Sequence, residues 1–159
     1  MARRKLRNLD NRILRKVVAH GAALGIDEIS TKKIAEEIGI TEPTIYVHFQ
    51  TRVNLLFSAN EFAIKELLSG FGNDDATLLQ RWGSALESAK NNPLSALYAY
   101  YYRQTGRSLD YDKIFSAFLR DDDPLKASIL QHYLYQAAVG SLELSEENVK
   151  KTFDIISNL

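Results

Sequence analysis

Residues 30–56 read STKKIAEEIGITEPTIYVHFQTRVNLL, and this stretch decides the fold. Its apolar residues recur at the spacing that places side chains on one helix face, first across 34–38 and then across 45–49. Gly39 lies between the two runs, where glycine permits the positive φ of a tight turn. Two short helices joined by a glycine turn are the layout of a helix-turn-helix, which we expect at about 30–49.

Residues that begin and end helices flank this motif. Upstream, apolar residues spaced by three, four or seven predict a first helix that ends at Gly25. Pro43 suits the first turn of the third helix, because the missing N–H costs little there. Four hydroxyl residues can cap the helices of this region: Ser30 or Thr31 for the second helix, Thr41 for the third and Thr51 for the fourth.

The rest of the chain is also predicted to be helical, since no stretch alternates apolar and polar residues over the length of a strand. Past a break at residues 70–74, helix starts are expected at Asp74 or Asp75, Asn92, Ser108, Asp123 and Ser145. We therefore predict an all-α chain with a three-helix head at 1–56 and a connecting fourth helix at about 52–71. A helical body at 57–159 would serve ligand binding and dimerisation.

Charge is unevenly distributed along the 159 residues, although the formal net charge is zero. Residues 1–56 carry 10 Lys and Arg against 6 Asp and Glu, a net of +4, and residues 57–159 carry 10 against 14, a net of −4. Such asymmetry favours a basic head that meets nucleic acid, although a basic N-terminus is also a common solubility feature.

Patterns typical of enzymes and cofactor sites do not occur in this sequence. It has no glycine-rich phosphate loop and no Gly-x-Ser-x-Gly elbow, and its three histidines form no zinc-ligand spacing. The aspartates at 121–123 could attract a cation, but a solvated loop that ends in a helix cap is the simpler interpretation. We expect no catalysis, no cofactor and no metal. Without cysteine, a signal peptide or a transmembrane run, we expect a cytoplasmic protein.

The run TIYVHF at 44–49 makes the pattern much more specific. Together with IA at 34–35, GIT at 39–41 and TRxxLL at 51–56, it resembles the TetR-type (tetracycline repressor-like) bacterial transcriptional regulators over about residues 10–57. The resemblance implies a homodimer that binds a near-palindromic operator with its third helix in the major groove. It also implies a ligand-responsive repressor, in which an unknown small molecule bound to the body moves the heads off their half-site spacing.

The resemblance assigns DNA-binding residues to the motif and to the N-terminal arm. Tyr46 and His48 resemble a phosphate-contacting pair, in which His48 can donate a ring N–H even when neutral. Arg52 stands where the family usually has lysine and can hold a phosphate through two parallel bonds. The full set is Ser30, Thr31, Lys32, Lys33, Thr41, Glu42, Pro43, Thr44, Tyr46, His48, Arg52, Arg3, Arg4 and Lys5.

Glu42 departs from the family pattern, which often has lysine, arginine, serine or glutamine at this position. A carboxylate repels phosphate but accepts from the N4 amino group of cytosine, so Glu42 can select bases. Alternatively, it favours the helix N-terminus electrostatically and points away from DNA. The chain is also compatible with a TetR-fold protein that acts through a protein partner and has no DNA target of its own.

Tyrosines crowd the body, with four of them within residues 98–102. They predict either a ligand pocket, since an aromatic ring with a polar tip suits small molecules, or ordinary packing. The pocket candidates are Trp82, Tyr98, Tyr101, Tyr102 and Tyr133. Apolar stripes on the last two helices, at about 124–140 and 146–158, predict a dimer interface, unless they face only their own core. The interface candidates are Tyr133, Ala137, Val149, Phe153 and Ile156.

Overall fold

The computed structural model describes residues 2–69, 76–106 and 123–159, with side chains from residue 8 onward except at 124 and 127. These ranges contain eight helices and no strand, which confirms the predicted all-α fold. The head and the connecting helix comprise α1 (Ala2–Leu24), α2 (Thr31–Ile38), α3 (Glu42–Phe49) and α4 (Arg52–Leu68). The body comprises α5 (Leu78–Asn91), α6 (Pro93–Gln104), α7 (Pro124–Ala138) and α8 (Glu146–Ser157).

Most helix ends in the head lie where capping residues predict them. Ser30 accepts a hydrogen bond from the backbone N–H of Lys33, and Thr51 caps α4 in the same way. Gly39 ends α2 with a positive φ of 73°, as the predicted turn requires. Thr41 makes no capping bond with its side chain, because its hydroxyl lies 2.9 Å from that of Thr44 instead.

Helix starts in the body agree with the sequence in part. Asp123 and Ser145 cap α7 and α8 as predicted. The predicted start of α5 at Asp74 or Asp75 is wrong, because Thr77 caps this helix in a capping box with Gln80. The pattern Thr-x-x-Gln is a known sign of such a box and was overlooked. The predictions for Gly70, Phe71, Ser108, Asp121 and Asp122 lie outside the described residues.

Two apolar cores divide the molecule, and α4 contributes to both of them. The head core is built from α1 to α4, with fully buried residues such as Ile13, Ile34 and Ile45. The body core begins at Ile64 near the end of α4 and continues through Trp82 and the other body helices. No helix in the described part of the chain has the length and apolar character needed to cross a membrane.

The head also packs directly on α6 of the body. Tyr98 and Tyr102 of α6 are buried in the head core and stack with a centroid distance of 6.2 Å. The buried Tyr98 hydroxyl donates to the carbonyl oxygen of Leu56 at 3.0 Å. Gly21 of α1 faces the same ring so closely that a Cβ atom there would lie 2.5 Å from two ring carbons. The head is therefore attached to the body at two places, through α4 and through α6.

Candidate nucleic-acid interface

Helix α3 turns one side to the head core and the other to solvent. Ile45 is fully buried, and Phe49 packs partly against the same core. On the open side Thr41 and Pro43 are exposed, and Val47 is 79% exposed. Sequence reasoning overlooked Val47, although its position one turn after Pro43 and two residues from Ile45 places it opposite the buried face. The centre of the open face of α3 is thus an apolar side chain.

The start of α2 adds positive charge beside this face. Ser30, Lys32 and Lys33 are all exposed there. The N-terminus of a helix carries a partial positive charge of its own, which favours anions. Arg3, Arg4 and Lys5 lie in the first turns of α1, but their side chains are outside the described part of the structure.

A polar link joins the first turns of α2 and α3. The Thr31 hydroxyl donates to Oε1 of Glu42 and lies 3.3 Å from the Tyr46 hydroxyl. Thr31 is only 5% exposed, and Glu42 is half-buried. Neither interpretation of Glu42 from the sequence included this contact. One carboxylate oxygen is held near two helix N-termini, and Oε2 has no partner among the described residues.

Arg52 links the start of α4 to the loop before α2. Its Nη1 donates to the carbonyl oxygen of Ile29 at 2.7 Å, and its Nη2 donates to that of Asp27 at 3.2 Å. The side chain is half-buried. A guanidinium has five N–H groups, so a phosphate contact by Arg52 stays a prediction. Its structural role was not predicted, since it depends on the loop conformation.

His48 joins α3 to α1. Its Nδ1 lies 2.5 Å from Oδ1 of Asp10, a residue 38 positions earlier in the chain. The side chain of His48 is 12% exposed and that of Asp10 is 40% exposed. Sequence reasoning named His48 but did not give it this partner.

Helices α1 and α2 are held together by a charged cluster away from α3. Glu37 accepts from Lys16 and contacts Nε2 of His20, each at 3.0 Å. The hydrogen bond from Lys16 lowers the pKa of the Glu37 carboxyl, and the charges of His20 and Lys16 add to this effect. A carboxyl with a lowered pKa stabilises the fold above its ordinary titration range and loses that effect as the pH falls. Arg12 also donates to the carbonyl oxygen of Ile38, at the end of α2.

Of the body residues predicted to bind a ligand, most are packed inside the protein and one lines a surface groove. Trp82, Tyr98 and Tyr102 are each at most 1% exposed and serve packing, the alternative that the sequence left open. The Trp82 indole N–H donates to the buried Thr152 hydroxyl at 2.8 Å, which fastens α5 to α8. Tyr101 packs partly against the head core. None of these four side chains lines the groove described next.

Tyr133 does line a groove, which lies between α6, α7 and the end of α8 and has a volume of about 490 Å³. Gln131 also lines it, is 2% exposed, and has no hydrogen-bond partner for its side-chain oxygen or nitrogen among the described residues. An unpaired buried amide costs about 1–3 kcal/mol, which a ligand or water could recover. Other lining residues are Tyr100, Arg103, Ile129 and Ile155.

The predicted interface stripes face largely into their own protomer. Ala137 is 1% exposed and Ile156 is 3% exposed, so neither offers surface to a partner. Val149 and Phe153 are half-buried against the body core. Exposed apolar side chains do occur on the same helices, at Leu125 on α7 and at Ile155 on α8. The predicted dimer would have to use these and the partly buried residues.

Comparison with known proteins agrees with the pattern read from the sequence. Residues 22–59 match the family model of bacterial regulatory proteins, tetR family. The chain is similar to a solved TetR family transcription regulator from Marinobacter aquaeolei VT8, with 17% identity, a TM-score of 0.73, and coverage of 98% of this chain and 96% of that one. A TetR-family transcriptional regulator from Haemophilus influenzae Rd is similar at 13% identity and a TM-score of 0.60, with coverage of 98% and 96%.

A search of curated proteins gave no match. At such low identities the solved structures show a shared fold and nothing finer. The resemblance inferred from the sequence is confirmed: residues 22–59, which contain the helix-turn-helix, match the model of the tetR family, and the chain shares the fold of the solved TetR-family transcription regulators.

Proposed function

We propose that this chain is a ligand-responsive transcriptional repressor that binds a near-palindromic operator as a homodimer in the cytoplasm. The observation that carries the proposal is the open face of α3 beside the exposed lysines of α2, within the segment that matches the tetR family. The proposal includes no catalysis and no cofactor. It predicts three kinds of DNA contact.

Two kinds of contact lie on the open faces of α2 and α3. With α3 in the major groove, the exposed methyl groups of Val47 meet a thymine methyl, and the Thr44 hydroxyl reaches phosphate or a base. Lys32 and Lys33 neutralise phosphates on the flank of the groove. Phosphate contacts fix the register of the protein on DNA, whereas base contacts give specificity.

Glu42 supplies the third kind of contact, a base-selecting one. Because Thr31 holds Oε1, the orientation of the carboxylate is fixed and Oε2 remains available. A fixed acceptor suits the N4 amino group of cytosine. The proximity to two helix N-termini stabilises the negative charge beside the DNA backbone. Of the two interpretations from the sequence, the proposal keeps base selection by Glu42 and its favourable interaction with the helix N-terminus, and it drops the orientation away from DNA.

The effector would bind in the groove that contains Tyr133 and Gln131. Tyr100 and Ile129 offer apolar contact there, and the unpaired amide of Gln131 suits a group that both donates and accepts hydrogen bonds. Such a ligand releases DNA only if it binds one arrangement of the heads more tightly than the other. The contact of Tyr98 with α1 provides a route from α6 to the head.

The decisive test is binding of the purified protein to DNA selected from a random pool and to scrambled DNA across a salt series. We expect specific binding by a dimer, seen by sedimentation of the complex. Lys33→Ala should weaken binding to both DNAs about equally and lower the salt slope by about 1.8, because the dimer loses one phosphate contact in each head. Lys90→Ala, exposed at the far end of α5, is the matched control and should change neither quantity.

If the folded protein binds no DNA at low salt, the repressor proposal fails and action through a protein partner becomes the better description. If Lys33→Ala and Lys90→Ala behave alike, α2 does not contact the phosphates as proposed.

A further inference from the structure

The contact between His48 and Asp10 determines which ring nitrogen of His48 is left for another partner. An ionised carboxylate can only accept hydrogen bonds, so Nδ1 must carry the proton that lies between it and Asp10. A neutral imidazole has a single N–H. With that N–H used on Asp10, Nε2 has only a lone pair and has no partner among the described residues.

A lone pair on Nε2 cannot bond to a DNA phosphate, whose oxygens are themselves acceptors. The expectation that neutral His48 donates to phosphate therefore does not fit this geometry. Only the doubly protonated ring can donate to Asp10 and to phosphate at the same time. Histidine is the side chain suited to such proton uptake, because its imidazole can carry one or two ring protons.

The other charged groups around His48 are engaged elsewhere. On α4, the guanidinium of Arg52 donates to backbone carbonyls of the loop before α2. On α3 itself, Glu42 is held by Thr31 at the opposite end of the helix. On α2, Glu37 is paired with α1.

On α1, Asp10 is the described titratable residue in contact with the ring, and the side chain of Arg7, one turn earlier, is outside the described part. Asp10 is therefore the described group that fixes which ring nitrogen of His48 carries the proton.

We propose that Asp10 is a positioning residue for DNA binding: it fixes the ring of His48 with Nε2 outward and makes the phosphate contact depend on uptake of one proton per head. The inference rests on the proposed DNA binding. When DNA binds, a proton from solvent adds to Nε2 of His48, and the hydrogen bond from Nδ1–H to Asp10 is retained. The new Nε2–H then donates to a phosphate oxygen.

Coupling between proton binding and DNA binding makes the DNA affinity depend on pH. If a proton binds together with DNA, then DNA affinity rises as the pH falls, and the two effects are reciprocal. Where the free ring is mostly neutral, the affinity of each head should fall by about tenfold per pH unit as the pH rises. A dimer on a palindrome should take up about two protons by the same rule.

The variant Asp10→Asn tests whether the hydrogen bond from Asp10 to His48 causes the pH dependence of DNA binding. The asparagine amide can donate to Nδ1, which moves the single proton of the neutral ring to Nε2. His48 can then bond to phosphate without taking up a further proton. This variant should lose most of the pH dependence and bind DNA more tightly than the original protein at pH 8. Glu28→Gln, which removes an equal charge at an exposed site on the loop before α2, should keep the original pH dependence.

The experiment combines anisotropy titrations of operator DNA between pH 5.5 and 8.5 with nitrogen-15 NMR of the histidine ring in the free protein. We expect the proton on Nδ1 of His48 at high pH, and a pH slope that His48→Gln and Asp10→Asn both remove. The proton on Nε2 in the unmodified protein, or equal slopes in the unmodified protein and His48→Gln, would overturn the inference. Absence of DNA binding at every pH would instead refute the proposed function.

Discussion

The head and the body of this chain use polar side chains in opposite ways. In the head, polar side chains such as Arg52, Glu42 and His48 are partly exposed, and each links one element to another near the face that would meet DNA. In the body, the hydroxyl of Thr152 and the amide of Gln131 are buried. These polar groups of the head link elements near its surface, whereas Thr152 fastens two helices inside the body core and Gln131 lacks a partner among the described residues.

This difference explains where similarity to known proteins ends. The head requires particular donors and acceptors at fixed positions on short helices, which few residue types can supply. The body core requires apolar volume of about the right size, which many combinations satisfy. The family match accordingly covers residues 22–59, while the fold match covers 98% of the chain. Three substitutions test the comparison, in order of expected effect.

The largest loss of stability is expected where the head and the body meet. Gly21→Ala places a methyl group 2.5 Å from ring carbons of the buried Tyr98, so helix α1 or α6 must shift. We expect a net loss of about 2 kcal/mol in the free energy of unfolding, because overpacking at the upper end of its usual range outweighs the gain of about 1 kcal/mol in helix propensity. Denaturant unfolding measures it.

Gly83→Ala is the matched control, because the added methyl would be 3.4 Å from Val149 and make an ordinary contact. It should be neutral or slightly stabilising. Equal stability changes in the two variants would show that head and body do not pack as described.

A smaller loss is expected in the head. Arg52→Ala removes both hydrogen bonds to the loop before α2 and should lower the free energy of unfolding by about 1–2 kcal/mol. From the sequence alone, no change in stability is expected for this variant. Arg15→Ala, whose side chain is 67% exposed beside Glu66, should change stability by less than about 0.5 kcal/mol. Equal thermal stability of Arg52→Ala and Arg15→Ala would contradict the structural role of Arg52. Its side chain would then be a surface residue available to DNA.

The smallest expected change is a gain in the free energy of unfolding, and it concerns the body. Gln131→Leu replaces a buried amide that has no partner among the described residues by an apolar group of similar size, and it should raise the free energy of unfolding by about 1 kcal/mol. Gln104→Leu, on the exposed rim of the same groove, should have almost no effect. A loss of stability in Gln131→Leu would mean that ordered water already satisfies the amide.

Local signals made the head predictable, and contacts between distant residues limited the prediction elsewhere. Gly39 and the caps at Ser30 and Thr51 act within a few residues, so they can be read from the sequence. The contact of Asp10 with His48 spans 38 positions and depends on how α1 meets α3. Tyr98 shares a short stretch with three other tyrosines, and no periodicity distinguishes the ring that will be buried against α1.

The double attachment of the head limits how a signal can travel. Helix α4 has 17 residues, so it is about 25 Å long, and a tilt of about 5° at one end would displace the other by about 2 Å. A connecting helix that was the sole attachment of the head could tilt in this way without any other contact changing. Here Tyr98 contacts both α1 and the backbone of α4, so α6 is packed against the head as well as against the body. A displacement of α6 would therefore meet α1 directly, without having to pass along the length of α4.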